Sequence, residues 1–109
     1  MPGRQAVCST DDLPVPGEGI RVFVGESEIG IFNVDGVFHA VDDYCTHERS
    51  SLSAEGFVEG DTVVCSWHGA VFSLLNGAPL CLPATEALRT YTISIEGKDV
   101  FLTGPGLES

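Results

Sequence analysis

The sequence predicts an all-β protein built from antiparallel strands, and three observations carry that prediction. Short runs of alternating apolar and polar residues dominate, while helical periodicity is weak along the whole chain. Thirteen Gly and six Pro among 109 residues interrupt those runs with tight turns, as short-stranded sandwiches and barrels require. Hydrophobic residues reach 43% against 19% charged, so the chain can bury a core and is not disordered. A chain of this length forms one domain.

The strands follow in order. Residues 19–24 read as a strand set off by Pro14, Pro16 and Gly17. Residues 28–34 and 37–42 flank Asp35-Gly36, a dipeptide that accepts the positive φ angles of a two-residue hairpin turn. Short segments at 57–58, 62–65 and 70–74 are separated by Gly60, Gly69 and Gly77. A second hairpin pairs 89–95 with 99–102 across Glu96-Gly97-Lys98. Seven to ten such strands make a sandwich or small barrel. The middle third, about residues 43–84, alternates short strands with loops and holds the candidate chemistry.

Charge excludes whole classes of partner. Five Lys and Arg against sixteen Asp and Glu leave a net charge of −11, with a pI near 4.3. Such a surface repels phosphates, so no nucleic-acid partner is expected, and an anionic membrane is disfavoured for the same reason. No apolar run is long enough to span a bilayer. Met1–Gln5 lacks the apolar stretch of a secretory signal, and Gly106–Ser109 carries no lipidation motif. A cytoplasmic monomer is the expectation. The charge itself serves solubility or steers the chain onto a basic partner, and composition does not choose between these.

Two Cys/His pairs stand out: Cys45-Thr46-His47, and, after seventeen residues, Cys65-Ser66-Trp67-His68. Each pair sits in a loop between strands, so the fold can turn four soft or borderline ligands toward one point. Three readings compete. Coincidental loop cysteines are the plainest, but two such pairs among only four Cys and three His argue against it. A zinc site of two Cys and two His is the second, yet zinc motifs pair Cys with Cys and His with His. The third is a Rieske centre, where two His replace two Cys on one iron of a 2Fe–2S cluster. A short Cys-to-His separation in both loops suits two adjacent irons better than one tetrahedral ion. Zinc therefore ranks second.

From about residue 30 to 102 the chain resembles the small Rieske ferredoxins of bacterial aromatic-ring-hydroxylating dioxygenases. The cluster loops carry the resemblance, with Gly36-x-Phe38-x-Ala40, Leu52-Ser53, Gly60-Asp61, Phe72, Gly77 and Pro79-Leu80-Cys81-Leu82-Pro83 in support. It implies a Rieske-type antiparallel sandwich with a smaller cluster-binding subdomain at about 43–84. It also implies one Rieske 2Fe–2S cluster held by Cys45, His47, Cys65 and His68, and a third, Pro-containing loop covering it. Glu48 and Ser66 depart from a common Gly and Pro of the family.

Rieske proteins of respiratory and photosynthetic membranes add a disulfide between the loops, where this chain has Ser50 and Trp67. They also donate hydrogen bonds to cluster sulfur from a Ser and a Tyr, where this chain has Ala70 and Phe72. Missing donors, together with Asp42, Asp43, Glu48, Glu55, Glu59 and Asp61 around the first loop and only Arg49 to offset them, predict a low potential. The expected value is about −150 mV. The same carboxylates would orient a basic partner. His39 is expected to be structural, Cys8 and Cys81 reduced thiols, and Trp67 either packing or docking.

One cluster and no second cofactor site imply an electron carrier and not a catalyst. After the four ligands only His39 remains, too few for a 2-His-1-carboxylate iron site, and there is no G-x-G-x-x-G for a dinucleotide. The resemblance implies that an NAD(P)H-dependent flavoprotein reductase supplies the electrons. A terminal aromatic-ring oxygenase with its own Rieske centre would receive them through transient electrostatic docking. The alternatives are an accessory Rieske subunit of an enzyme such as nitrite reductase, and a zinc-stabilised interaction module.

Overall fold

The computed structural model of the chain describes residues 5–43, 51–65, 70–81 and 87–104, with Cys81 by its backbone alone. Among these residues, ten strands form two antiparallel sheets. The larger contains β1 (Gln5–Ser9), β2 (Gly19–Val24), β3 (Ser27–Val34), β4 (Val37–Asp42), β9 (Thr90–Glu96) and β10 (Asp99–Thr103), in the order β1-β10-β9-β4-β3-β2. Its outer strands β1 and β2 touch, so the sheet curls around its own core. The smaller sheet runs in chain order through β5 (Gly56–Glu59), β6 (Thr62–Cys65), β7 (Val71–Ser73) and β8 (Pro79–Cys81).

The hairpin predicted at Asp35-Gly36 forms there. Both residues have positive φ, 50° and 92°, and Val34 pairs with Val37 across them. The β9–β10 hairpin also forms, with Glu96 facing Asp99 across Gly97-Lys98.

Strand alternation explains how the sheets share a core. On β3, Ile29 and Ile31 face the interior of the curled sheet, where they pack with Val22, Ala40, Tyr91 and Leu102. Phe32 points the other way, into a cluster with Val41 of β4, with Val63, Cys65 and Phe72 of the small sheet, and with Leu74 just after β7. The middle of β3 is therefore buried on both faces, which accounts for its unbroken run of buried residues.

β1, α1 and β8 are among the elements that escape the sequence pattern. β1 shows no alternation and is held by β10 with a register shift between Ala6 and Cys8. The helix α1 (Leu52–Glu55) is a single turn, too short to display a period. β8 begins at Pro79, inside the segment expected to be a covering loop. A proline is tolerated there because β8 is an edge strand that needs no N–H at its first position.

Candidate metal centre

Three segments leave the sheets at neighbouring points. The first, residues 44–50, contains Cys45 and His47 and lies outside the described residues, but both of its ends are described. On entry, Asp43 follows β4 with its side chain fully buried. Its carboxylate accepts from Ser51 Oγ at 2.6 Å, Ser53 N at 2.7 Å and Ser53 Oγ at 2.8 Å. On exit, Ser51 caps α1 by accepting from the Ala54 N–H. One carboxylate thus ties the entry of this segment to its exit.

The second segment opens from the β6–β7 hairpin. Cys65 is the last residue of β6 and is 1% exposed. Its backbone N–H donates to the Ala70 carbonyl at 2.8 Å, closing the base of residues 66–69, which contain His68 and Trp67 and lie outside the described residues. The strand expected at 62–65 forms with those bounds, so Cys65 sits at its end, where the loop begins and where pairing with Gly56 holds its backbone.

The third segment runs from β8 to β9. Leu88 N–H donates to the Gly77 carbonyl at 2.8 Å. The approach is so close that a Cβ at Gly77 would lie 2.1 Å from the Leu88 carbonyl oxygen, and Gly77 also has φ +77°. Arg89 then docks on Asp42: its N–H reaches Oδ2 at 2.9 Å and its Nε the same oxygen at 3.2 Å. Tyr91 donates its hydroxyl to Asp42 Oδ1 at 2.7 Å, and Asp42 N–H reaches the Arg89 carbonyl at 3.0 Å.

The bases of all three segments meet in one apolar cluster. Val41 and Leu52 flank the first, Cys65 and Ala70 the second, and Leu88 follows the third. Of the four candidate ligands, Cys65 is placed in this cluster; Cys45, His47 and His68 lie outside the described residues. A buried thiol among apolar neighbours matches the soft-sulfur side of an iron–sulfur site. Ala70 and Phe72, both fully buried beside it, offer no side-chain hydrogen bond. The residues described fit a Rieske 2Fe–2S cluster.

The carboxylate expectation needs correction. Asp42 and Asp43 are 3% and 1% exposed, so neither can orient a partner. Nor is Arg49 the sole cation in play: Arg89 reaches Asp42 at 3.2 Å and Arg21 Nε reaches Asp43 at 3.9 Å. Both cations are distant in sequence, which hid them. Glu55, Glu59 and Asp61 are exposed, and Glu48 lies outside the described residues. The structural parts played by Asp42, Asp43, Ser51, Ser53 and Tyr91 were also missed. The only local hint was an Asp-Asp pair two residues before a candidate cysteine.

His39 lies within β4, paired with Phe32, as expected of a strand residue. Cys8 in β1 is half-buried, and burial, with the Asp12 charge second, pushes its thiol above the ordinary range. The side chain of Cys81, with Trp67 and Ser66, lies outside the described residues.

Residues 3–92 match the model of the Rieske [2Fe-2S] domain. The chain therefore belongs to the Rieske [2Fe–2S] domain family, as an electron-transfer component with one Rieske-type cluster as its cofactor. It is 44% identical over 95 residues to the biphenyl dioxygenase ferredoxin subunit of a Pseudomonas species, covering 87% of this chain and 86% of that one. It is also 44% identical over 103 residues to the 3-phenylpropionate/cinnamic acid dioxygenase ferredoxin subunit of Escherichia coli, covering 94% of each. Among solved structures, the ferredoxin of Sphingomonas yanoikuyae B1 superposes with a TM-score of 0.83 at 27% identity, over 94% of this chain and 99% of that one. A chain from the complex of reduced oxygenase and oxidised ferredoxin in carbazole 1,9a-dioxygenase gives 0.82 at 31% identity, over 100% of this chain and 98% of that one. Among the described residues no helix is long and apolar enough to cross a membrane.

Proposed function

We propose that this chain is the ferredoxin of a multicomponent aromatic-ring dioxygenase. It takes single electrons from an NAD(P)H-dependent flavoprotein reductase and passes them to the Rieske centre of the terminal oxygenase. Its place is the cytoplasm and its working form a monomer. Cys45 and Cys65 would hold one iron and His47 and His68 the other, in a single Rieske domain whose cluster-binding subdomain spans about 43–84. The observation that carries this reading is the meeting of three loop bases around Cys65, together with 44% identity to two dioxygenase ferredoxin subunits.

When bound, the cluster supplies reversible uptake of one electron. The chain's own residues do the rest. Pairing with Gly56 of β5 and the bond to the Ala70 carbonyl fix the Cys65 backbone, and Val41, Leu52, Phe72 and Leu88 keep water from its sulfur. Exposed Glu55, Glu59 and Asp61 contribute to an acidic surface that speeds encounter with a basic partner without demanding tight binding.

The test is reconstitution. The purified chain should be red-brown, with two irons and two acid-labile sulfides per chain. It should carry electrons from NADH through the flavoprotein reductase to the oxygenase of the biphenyl or phenylpropionate system. Replacing Cys45, His47, Cys65 or His68 by Ala should abolish the chromophore, while Cys8→Ser should keep it. A colourless wild-type chain, or full colour in any of those four variants, overturns the assignment.

A further inference from the structure

We propose that Asp42 and Asp43 are paired positioning residues of the metal centre, Asp43 setting the return of the first loop and Asp42 that of the third. The inference rests on the proposed ligand set and deepens it.

Asp42 ends β4 and Asp43 follows it, and the two neighbouring side chains engage different partners. Asp43 turns toward Ser51 and Ser53, beyond the segment that carries Cys45 and His47. It accepts three hydrogen bonds from them, and its own carbonyl accepts from Leu52 N–H at 3.4 Å. Asp42 turns toward Arg89 and Tyr91, just past the third segment, and accepts three more. Among the described residues no buried side-chain nitrogen or oxygen lacks a partner, so both carboxylates are fully engaged.

A second observation points the same way. β3 carries Gly30 where it passes Asp43, and a Cβ there would lie 2.8 Å from Asp43 Oδ1 and 2.6 Å from the Phe32 ring. The neighbouring strand thus leaves space for this carboxylate. Arg21 reaches it from β2 at 3.9 Å, and that guanidinium also faces Glu28 at 3.6 Å and lies 5.2 Å from the Phe23 ring. Charges of both signs are therefore fixed at the foot of the ligand loop, while the hydrogen bonds fix its span. Loop ligands in a metal site need such supporting bonds to hold their geometry.

The experiment compares full-length wild type with the double variant Ser51→Ala/Ser53→Ala, Tyr91→Phe and Ser53→Thr. Each is followed by far-UV circular dichroism, by the EPR spectrum of the dithionite-reduced protein, and by bleaching of the chromophore in excess EDTA. The serine double variant should keep the native dichroism, bleach several-fold faster and show a broadened EPR signal. Tyr91→Phe should do so to a lesser degree. Ser53→Thr, which keeps the hydroxyl, should bleach at the wild-type rate. If the double variant unfolds, Ser53→Ala alone takes its place. Bleaching and EPR spectra unchanged from wild type, even with a lowered melting temperature, overturn the inference, because a merely structural role moves only the melt. A wild type that never acquires a chromophore fails the ligand assignment instead.

Discussion

The Tyr91 hydroxyl donates to Oδ1 of Asp42 over 2.7 Å, joining two residues 49 positions apart in the chain. Both are buried, so the bond closes a polar network that water cannot repair. Tyr91→Phe leaves that oxygen without its hydroxyl donor and should destabilise the protein by about 1–3 kcal/mol. Thermal melting of the cluster-loaded protein measures the loss. An unchanged melting temperature would show that the bond contributes nothing.

Gly30 offers a test of packing. An alanine there must displace both the Phe32 ring and the Asp43 carboxylate. Overpacking of this kind costs about 1–3 kcal/mol. Urea denaturation should report the drop, and iron content should fall with it because Asp43 adjoins the first loop.

Redox potential is set by what surrounds the sulfur. With Ala70 and Phe72 buried beside Cys65, the potential is expected near the low end of the Rieske range, about −150 mV. Ala70→Ser and Phe72→Tyr each introduce a hydroxyl where relatives of higher potential carry one, and each should shift the potential upward. Protein-film voltammetry of the two variants decides the sign.

Cys8 gives a pH dependence. Its folded thiol is held above the ordinary value by burial first and by Asp12 second. The unfolded chain therefore releases the proton at lower pH than the folded chain does. Stability from this group is complete below the ordinary thiol range and is lost as pH rises toward the folded value. Denaturation from pH 7 upward should show an alkaline decline that Cys8→Ser reduces.

Salt should slow turnover with reductase and oxygenase, because screening at high ionic strength removes steering by a chain of net charge −11. Steady-state rates across a salt series measure this. A flat profile counts against electrostatic docking.

Local chemistry made much of the fold legible. Asp35-Gly36 announces a turn because few dipeptides accept positive φ twice, and the apolar segments on either side pair across it. The paired cysteine and histidine spacing pointed to the family in the same way. The remainder lies in long-range partners. β1 has no pattern of its own and exists because β10 offers an edge, while α1 is one turn set by the Ser51 cap. Acidic neighbours of Cys45 looked like one surface patch because sequence shows proximity along the chain, not direction. Arg21, Arg89 and Tyr91 then turn two of those carboxylates into interior anchors.

The closure between Asp42 and Arg89 also orders events in time. β4 and β9 are neighbours through Ala40 with Tyr91 and Val41 with Thr90, yet the bonded pair Asp42 and Arg89 lie 47 positions apart. Strands β2 to β4 form a meander of short-range contacts that can assemble early, whereas β9 must close a long loop first. The metal-bearing excursion and the last strands of the large sheet thus depend on the same long-range closure, and contact order predicts that a nascent chain completes the large sheet and its ligand geometry together.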